Sequence, residues 1–187
     1  TDGLHVVVSV GQTLAFGPSF NATENPLTDE ERRHQLVAML DRHRAVQSAF
    51  VGYADGSFIY AGRPENFSIE QRIELDAPDG ESIIVRVIEA GAAPRTETYW
   101  FYLPDGSHGP ARTTTSSFDA RTRPWYVEAM KAKQPILTEP YRFAQIPDAG
   151  ISAGIPLRSG LGVMGFDFTL RTLSELLTAY KITANSV

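Results

Sequence analysis

Val46-Gln47-Ser48-Ala49-Phe50-Val51-Gly52-Tyr53, then Ala54-Asp55-Gly56-Ser57, then Phe58-Ile59-Tyr60, is the stretch whose reading decides the fold. Side chains on a strand alternate between two faces, so the period-two run on each side of the Asp-Gly pair predicts a β-hairpin on a tight turn. Working outward, strands are predicted at 68–75, at Ser82 to Glu89, at Thr96 to Leu103 before the Pro104-Asp105-Gly106-Ser107 turn, near 140–145 and 150–157, and from Gly162 to Phe168. These strands follow one another through short turns and no repeated βαβ unit appears. The expected class is therefore α+β, with an antiparallel sheet and helices packed on its faces.

Helices are read from caps and spacing. Thr28 and Glu31 form a capping box ahead of Leu36, Val37 and Leu40, predicting a helix over 28–44. Pro124 suits the first position of a helix reaching Lys133, and Leu173, Leu176 and Leu177 share one face of a closing helix over 170–180. Residues 3–16 read as a short helix or helix end, although their Val content also suits a strand. Thr113-Thr114-Thr115-Ser116-Ser117 reads as a polar loop or strand edge. The organisation expected is a helical segment over 1–45 and a strand-rich module over 46–187.

Composition narrows the function. The 187 residues carry 42% hydrophobic residues, 10 Phe, 7 Tyr and 2 Trp, enough to fold around one core. Lys+Arg is 17 against Asp+Glu 22, a net charge of -5 with no basic stripe, so nucleic acid is not an expected partner. No cysteine is present, which removes disulfides, thiolate metal sites and a Cys nucleophile. The apolar run Val6-Val7-Val8-Ser9-Val10 falls far short of the roughly 20 residues that cross a bilayer. The chain reads as a piece of a longer protein.

Two motifs suggest chemistry and fail on context. Gly150-Ile151-Ser152-Ala153-Gly154 matches the G-x-S-x-G nucleophile elbow, yet His5, His34, His43 and His108 all precede the serine and Pro156 stands where a helix should begin. Gly160-Leu161-Gly162-Val163-Met164-Gly165 matches G-x-G-x-x-G but leads into an alternating strand instead of a helix N-terminus. The histidines are scattered singly, so no metal is expected, and no cofactor is implied.

The residues that carry weight lie between 118 and 167: Phe118, Arg121, Arg123, Trp125, Tyr126, Tyr141 and Asp167. Arg presents a planar fork to a carboxylate, and Trp and Tyr supply flat walls with one polar tip each. Asp167 falls in an apolar strand, where an ionised carboxylate needs a partner. Together they could hold a small ligand with a negative and a positive end. Trp125 and Tyr126 also suit core anchors, and Arg123 could cap a carbonyl or pair with Asp167 itself. A structural module without ligand, and a small hydrolase built on Ser152, stand as alternatives.

At these residues the sequence resembles the extracytoplasmic double-Cache, PAS-like sensor domains of bacterial transmembrane receptors. The likeness rests on Val51-Gly52-Tyr53-Ala54-Asp55-Gly56-Ser57-Phe58, Asp119-Ala120-Arg121-Thr122-Arg123-Pro124-Trp125-Tyr126, Glu139-Pro140-Tyr141 and Gly165-Phe166-Asp167-Phe168-Thr169-Leu170, and covers about residues 28–180. The resemblance implies a five- to six-stranded antiparallel sheet beside an N-terminal helix, in the membrane-distal module of a periplasmic sensor attached to a histidine kinase or class III nucleotide cyclase. Membrane attachment would run through segments outside this chain, and a homodimer stays open. In the amino-acid-binding branch, the resemblance implies that Arg123 and Trp125 hold a ligand carboxylate, Asp167 takes the ammonium, and Tyr126 and Tyr141 line the pocket. Phe118 departs from that branch, where a tyrosine is usual, so a carboxylate or an amine remains open as ligand.

Overall fold

Helix α1 (Asp29–Arg42) buries Arg33, Leu36, Val37 and Leu40, the i, i+3, i+4, i+7 stripe of an amphipathic helix. The computed structural model describes residues 29–143, 149–172 and 174, with single helical positions at 9, 11, 12, 15 and 20. Thr28, His5 and the Leu173, Leu176 and Leu177 face of the closing helix lie outside the described residues. Behind α1 come β1 (Ser48–Tyr53) and β2 (Phe58–Gly62), helix α2 (Ile69–Glu74), β3 (Ile83–Ile88), β4 (Arg95–Tyr102) and β5 (Arg112–Ser116). Helix α3 (Pro124–Ala132), the two-residue strands β6 (Ile136–Leu137) and β7 (Tyr141–Arg142), and the long strands β8 (Ala149–Pro156) and β9 (Gly162–Thr169) follow.

The sheet is antiparallel throughout in the order β5-β4-β3-β2-β1-β9-β8-β6, with β7 also pairing β8. The hairpin appears as read, with Phe50 opposite Tyr60 and Gly52 opposite Phe58. Among the described residues the sheet has nine strands, wider than the five to six expected. The polar stretch at 113–117 supplies the edge strand β5, and residues after α3 add β6 and β7. The glycine run at 160–165 enters β9, as its alternation required.

One expectation fails. Residues 68–75 form no strand: Ser68 Oγ accepts from the Gln71 amide (3.2 Å) and Gln71 Oε1 accepts from the Ser68 amide (2.9 Å), a complete capping box that starts α2. Ile69 and Ile73 are then exposed at i, i+4 on one helix face instead of alternating on a strand.

Alternation gives the sheet two distinct faces. Ala49, Val51, Ile59, Ala61, Val85, Ala153, Met164, Phe166 and Phe168 pack under α1. Phe50, Phe58, Tyr60, Ile84, Phe101 and Val163 meet Trp125, Tyr126 and Ala129 on the other face, which is the α3 side. Helix α3 sits directly on backbone. A Cβ at Gly154 would lie 2.6 Å from the Trp125 carbonyl oxygen and 3.2 Å from Ala129 Cβ, so only glycine allows this approach. A Gly154→Ala substitution is expected to destabilise the protein by about 1–3 kcal/mol, the usual range for overpacking, in urea denaturation with an unchanged m-value. Wild-type stability in that variant would mean that α3 does not rest on β8.

Candidate functional site

Register assembles the site before any ligand does. In the paired strands Asp167 on β9 stands opposite Ser48 on β1 and opposite Ser152 on β8. Cross-strand partners come within side-chain contact, and both serines use it. Ser48 Oγ donates to Asp167 Oδ2 (2.8 Å) and Ser152 Oγ donates to Asp167 Oδ1 (2.5 Å). Strand β9 is buried along its whole length, and Asp167 is 6% exposed. Burial pushes its carboxyl up to about 7, against the downward pull of the two serines and Arg123.

A small cavity of about 30 Å³ opens beside this carboxyl, lined by Phe50, Phe58, Tyr60, Phe118, Arg123, Trp125, Tyr141, Phe143 and Asp167. Five of the seven residues singled out in the sequence therefore share one cavity. Tyr126 is not among the lining residues; it stacks edge-on against Trp125 at 5.7 Å and faces the Gly52 position of β1. Phe50, Phe58, Tyr60 and Phe143 were missed by sequence reasoning. Their rings join the wall through contacts such as Phe50 with Trp125 (4.7 Å) and Phe58 with Phe118 (4.9 Å).

The two arginines of the 118–126 block separate by their contacts. Arg121 is committed, donating to Asp119 at 2.7 Å and to the Ala54 carbonyl at 3.2 Å, and this pairing holds the Asp119 carboxyl below its ordinary range. Arg123 is the N-cap residue of α3 but makes no side-chain cap bond, so its guanidinium is released from the helix end. It lies 5.8 Å from the Tyr141 ring centre with Nη2 3.5 Å from the Arg142 carbonyl oxygen. Among the described residues no ion pair joins Arg123 to Asp167. The cavity thus has a buried acid and a partly exposed cation, with no ion pair to either among the described residues, separated by aromatic walls. The Tyr60 and Tyr141 hydroxyls are pushed up by burial and then by the nearby Asp167, so both stay protonated.

Behind the wall, Arg86 pairs with Glu97 and lies 4.8 Å from the Phe118 ring centre, while Arg95 donates to the backbone carbonyls of Gly56 and Phe118. A larger groove of about 330 Å³ runs between α2 and β5. It is an open surface feature crossed by the exposed Arg112–Asp76 pair, and none of the residues singled out in the sequence line it.

Ser152 has no histidine beside it among the described residues; His34 and His108 both pack on the Tyr102 ring, which belongs to the α1 side of the sheet. No cluster of metal-binding side chains occurs among the described residues, and no described helix is long and apolar enough to cross a membrane.

No family model matches the chain. Over 164 residues, 84% of its length, it is 31% identical to adenylate cyclase 1 of Rhizobium meliloti, and it spans only about a quarter of that protein (24%). Among solved structures it is similar to the ligand-binding domain of the Pseudomonas aeruginosa amino acid chemoreceptor PctC in complex with GABA. That match has a TM-score of 0.56 at 20% identity and covers 95% of this chain and 62% of the other. The ligand-binding domain of PctB from the same organism, in complex with L-Gln, matches with a TM-score of 0.51 at 21% identity, covering 92% and 49%.

The buried acid has a measurable signature. A carboxyl raised in the folded state holds a proton that the unfolded chain has lost, so its contribution to stability is fully present below about pH 4 and is lost as pH rises through about 7. At about 1.4 kcal/mol per unit, the total loss is on the order of 4 kcal/mol. Relative to wild type, Asp167→Asn should gain stability across this window in parallel denaturation series. An unchanged difference between the two proteins from pH 4 to pH 8 would remove Asp167 from the titration.

Proposed function

Starting from the PAS-like Cache fold that this chain shares with chemoreceptor ligand-binding domains, we propose that it is a non-catalytic, extracytoplasmic sensor module for a small molecule carrying an ammonium group. The observation that carries this reading is Asp167, a buried carboxyl in an aromatic cavity, with Arg123 unpaired at the same cavity. A cation placed against Asp167 supplies the charge that the protein leaves out, and Arg123 offers a fork for a carboxylate at the far end of an amino acid. Trp125 and Tyr141 complete the walls, with Phe118 contributing a ring but no hydroxyl.

The cavity as it stands has room for about one water molecule. A ligand of amino-acid size therefore enters only when the aromatic wall moves, which makes binding selective for one arrangement of the wall and gives the domain two states to report. The report would pass to an output region outside this chain, and the likeness to a cyclase favours a nucleotide cyclase there over a histidine kinase. The helical segment over 1–45 would form part of that connection. The hydrolase alternative is not favoured, because the Ser152 hydroxyl is spent on Asp167.

A thermal-shift screen against amino acids, ω-amino acids, amines and carboxylates tests the reading, since a ligand bound only by the folded state raises the midpoint. Ammonium compounds should give the shifts, and no shift with any compound would sink the proposal. With the best compound, Arg123→Ala should weaken binding by about 2–5 kcal/mol if a ligand carboxylate is held there. Binding of an ammonium ligand at pH 6 should also release close to one proton, because Asp167 must ionise to pair with it. Calorimetry in buffers of different ionisation enthalpy reads that proton directly, and zero release with an ammonium ligand would separate the amine from Asp167.

A further inference from the structure

The G-x-S-x-G serine has no histidine beside it among the described residues, yet its hydroxyl connects two cavity-lining polar groups, Asp167 and Tyr141. Ser152 Oγ donates its single proton to Asp167 Oδ1, and Tyr141 Oη lies 2.7 Å from the same Oγ. A hydroxyl has one hydrogen to give, so while Asp167 is ionised the Tyr141 hydroxyl must donate to Ser152. The lone pairs of Tyr141 are then its only remaining capacity. If the proton of a neutral Asp167 sits on Oδ1, every bond in the row reverses: Asp167 donates to Ser152, Ser152 donates to Tyr141, and the Tyr141 proton is freed.

The serine is held for this task. Its amide donates to Thr138 Oγ1 (3.0 Å) and its carbonyl accepts from the Thr138 amide (3.0 Å), with Thr138 itself buried. The branch on the other oxygen runs to Ser48 of β1, whose Oγ donates to Asp167 Oδ2 (2.8 Å); the Tyr60 hydroxyl of β2 accepts from Asn66 Nδ2 at 3.1 Å. Among the described residues the Tyr141 hydroxyl bonds Ser152 alone, so the reversal runs from Oδ1 to Tyr141. The other charges that act on the row are Arg123 at the start of α3, on both Asp167 and Tyr141, and Glu128 of α3 on Tyr141.

We infer that Ser152 is a positioning and specificity-determining residue: it makes the Tyr141 hydroxyl an acceptor toward the cavity when Asp167 is ionised and a donor when Asp167 is protonated on the oxygen that faces Ser152. The ionised row presents two acceptors, which suits an ammonium group and replaces the hydroxyl that Phe118 lacks. The protonated row presents a donor, which suits a neutral or anionic group. The consequence for ligand choice rests on the proposed sensor reading, whereas the relay itself is a property of the free protein.

The test therefore needs no ligand. The side-chain carboxyl carbon of Asp167 and the ring carbon bearing the Tyr141 hydroxyl are followed by carbon-13 NMR between pH 4.5 and 8.5, with Tyr141→Phe assigning the tyrosine signal. In wild type both signals should move with one midpoint. In Ser152→Ala the Asp167 midpoint should rise and the Tyr141 signal should become flat, and Ser152→Thr, which keeps a hydroxyl, should restore the coupling. A flat Tyr141 signal in wild type overturns the inference even if neither variant folds. So does a Tyr141 signal that still follows Asp167 in Ser152→Ala. Failure of every compound in the thermal screen would remove the ligand reading and leave this result standing.

Discussion

An ionisable carboxyl in the middle of a fully buried strand is expensive to keep, and much of the architecture around β9 answers that expense. Asp167 cannot be left alone among Val163, Phe166 and Phe168, so the neighbouring strands bring a serine to each oxygen. This works only in one register. Moving β1 or β8 by a single residue against β9 would put Gln47 or Ala49 in place of Ser48, or Ile151 or Ala153 in place of Ser152, residues whose side chains point to the opposite face. The ladder that positions the site and the ladder that fills the α1 core are the same hydrogen bonds, so site and fold are specified together.

The division of labour between the faces follows from that arrangement. The α1 side is close to purely aliphatic and aromatic, and its few polar groups, such as Arg33 with its guanidinium 3.9 Å from the Trp100 ring centre, sit at the margin. The α3 side carries Arg86, Glu97, Asp167, Ser48 and Ser152 among large rings. Buried polar groups are thus more numerous on the α3 side, whereas on the α1 side Arg33 is buried against the Trp100 ring and the Tyr102 hydroxyl.

Much of this was legible in the sequence wherever the signal is local. The hairpin at the Asp-Gly turn, α1 with its apolar stripe, α3 after Pro124 and the buried acid of β9 all announce themselves within a few residues. The 68–75 segment was misread because Ile69, Ile73 and Leu75 sit at even spacings that mimic a strand, while the Ser68 and Gln71 cap that decides the matter was overlooked. Ser48, Phe50, Phe58, Tyr60 and Phe143 could not be found as site residues, since only register and the arrival of α3 bring them to the cavity. Trp125 and Tyr126 show the limit of a motif: adjacent helical residues differ by about 100° in direction, so although both rings reach Gly52 of β1, only Trp125 lines the cavity. Ser152 was noticed for a reason that does not apply and matters for one that pairing alone reveals.

Arg95 reaches the cavity wall in a way that is blind to side-chain identity. Its guanidinium holds the carbonyls of Gly56 and Phe118, groups that every residue at those positions would also present. The loop carrying residue 118 is thus moored to the β1–β2 turn by its backbone, and the ring it displays is free to vary without loosening the mooring. A change from tyrosine to phenylalanine at this point alters what the cavity offers a guest while leaving its frame untouched. Position 118 is accordingly a place where a substitution changes the cavity wall while the backbone mooring stays in place.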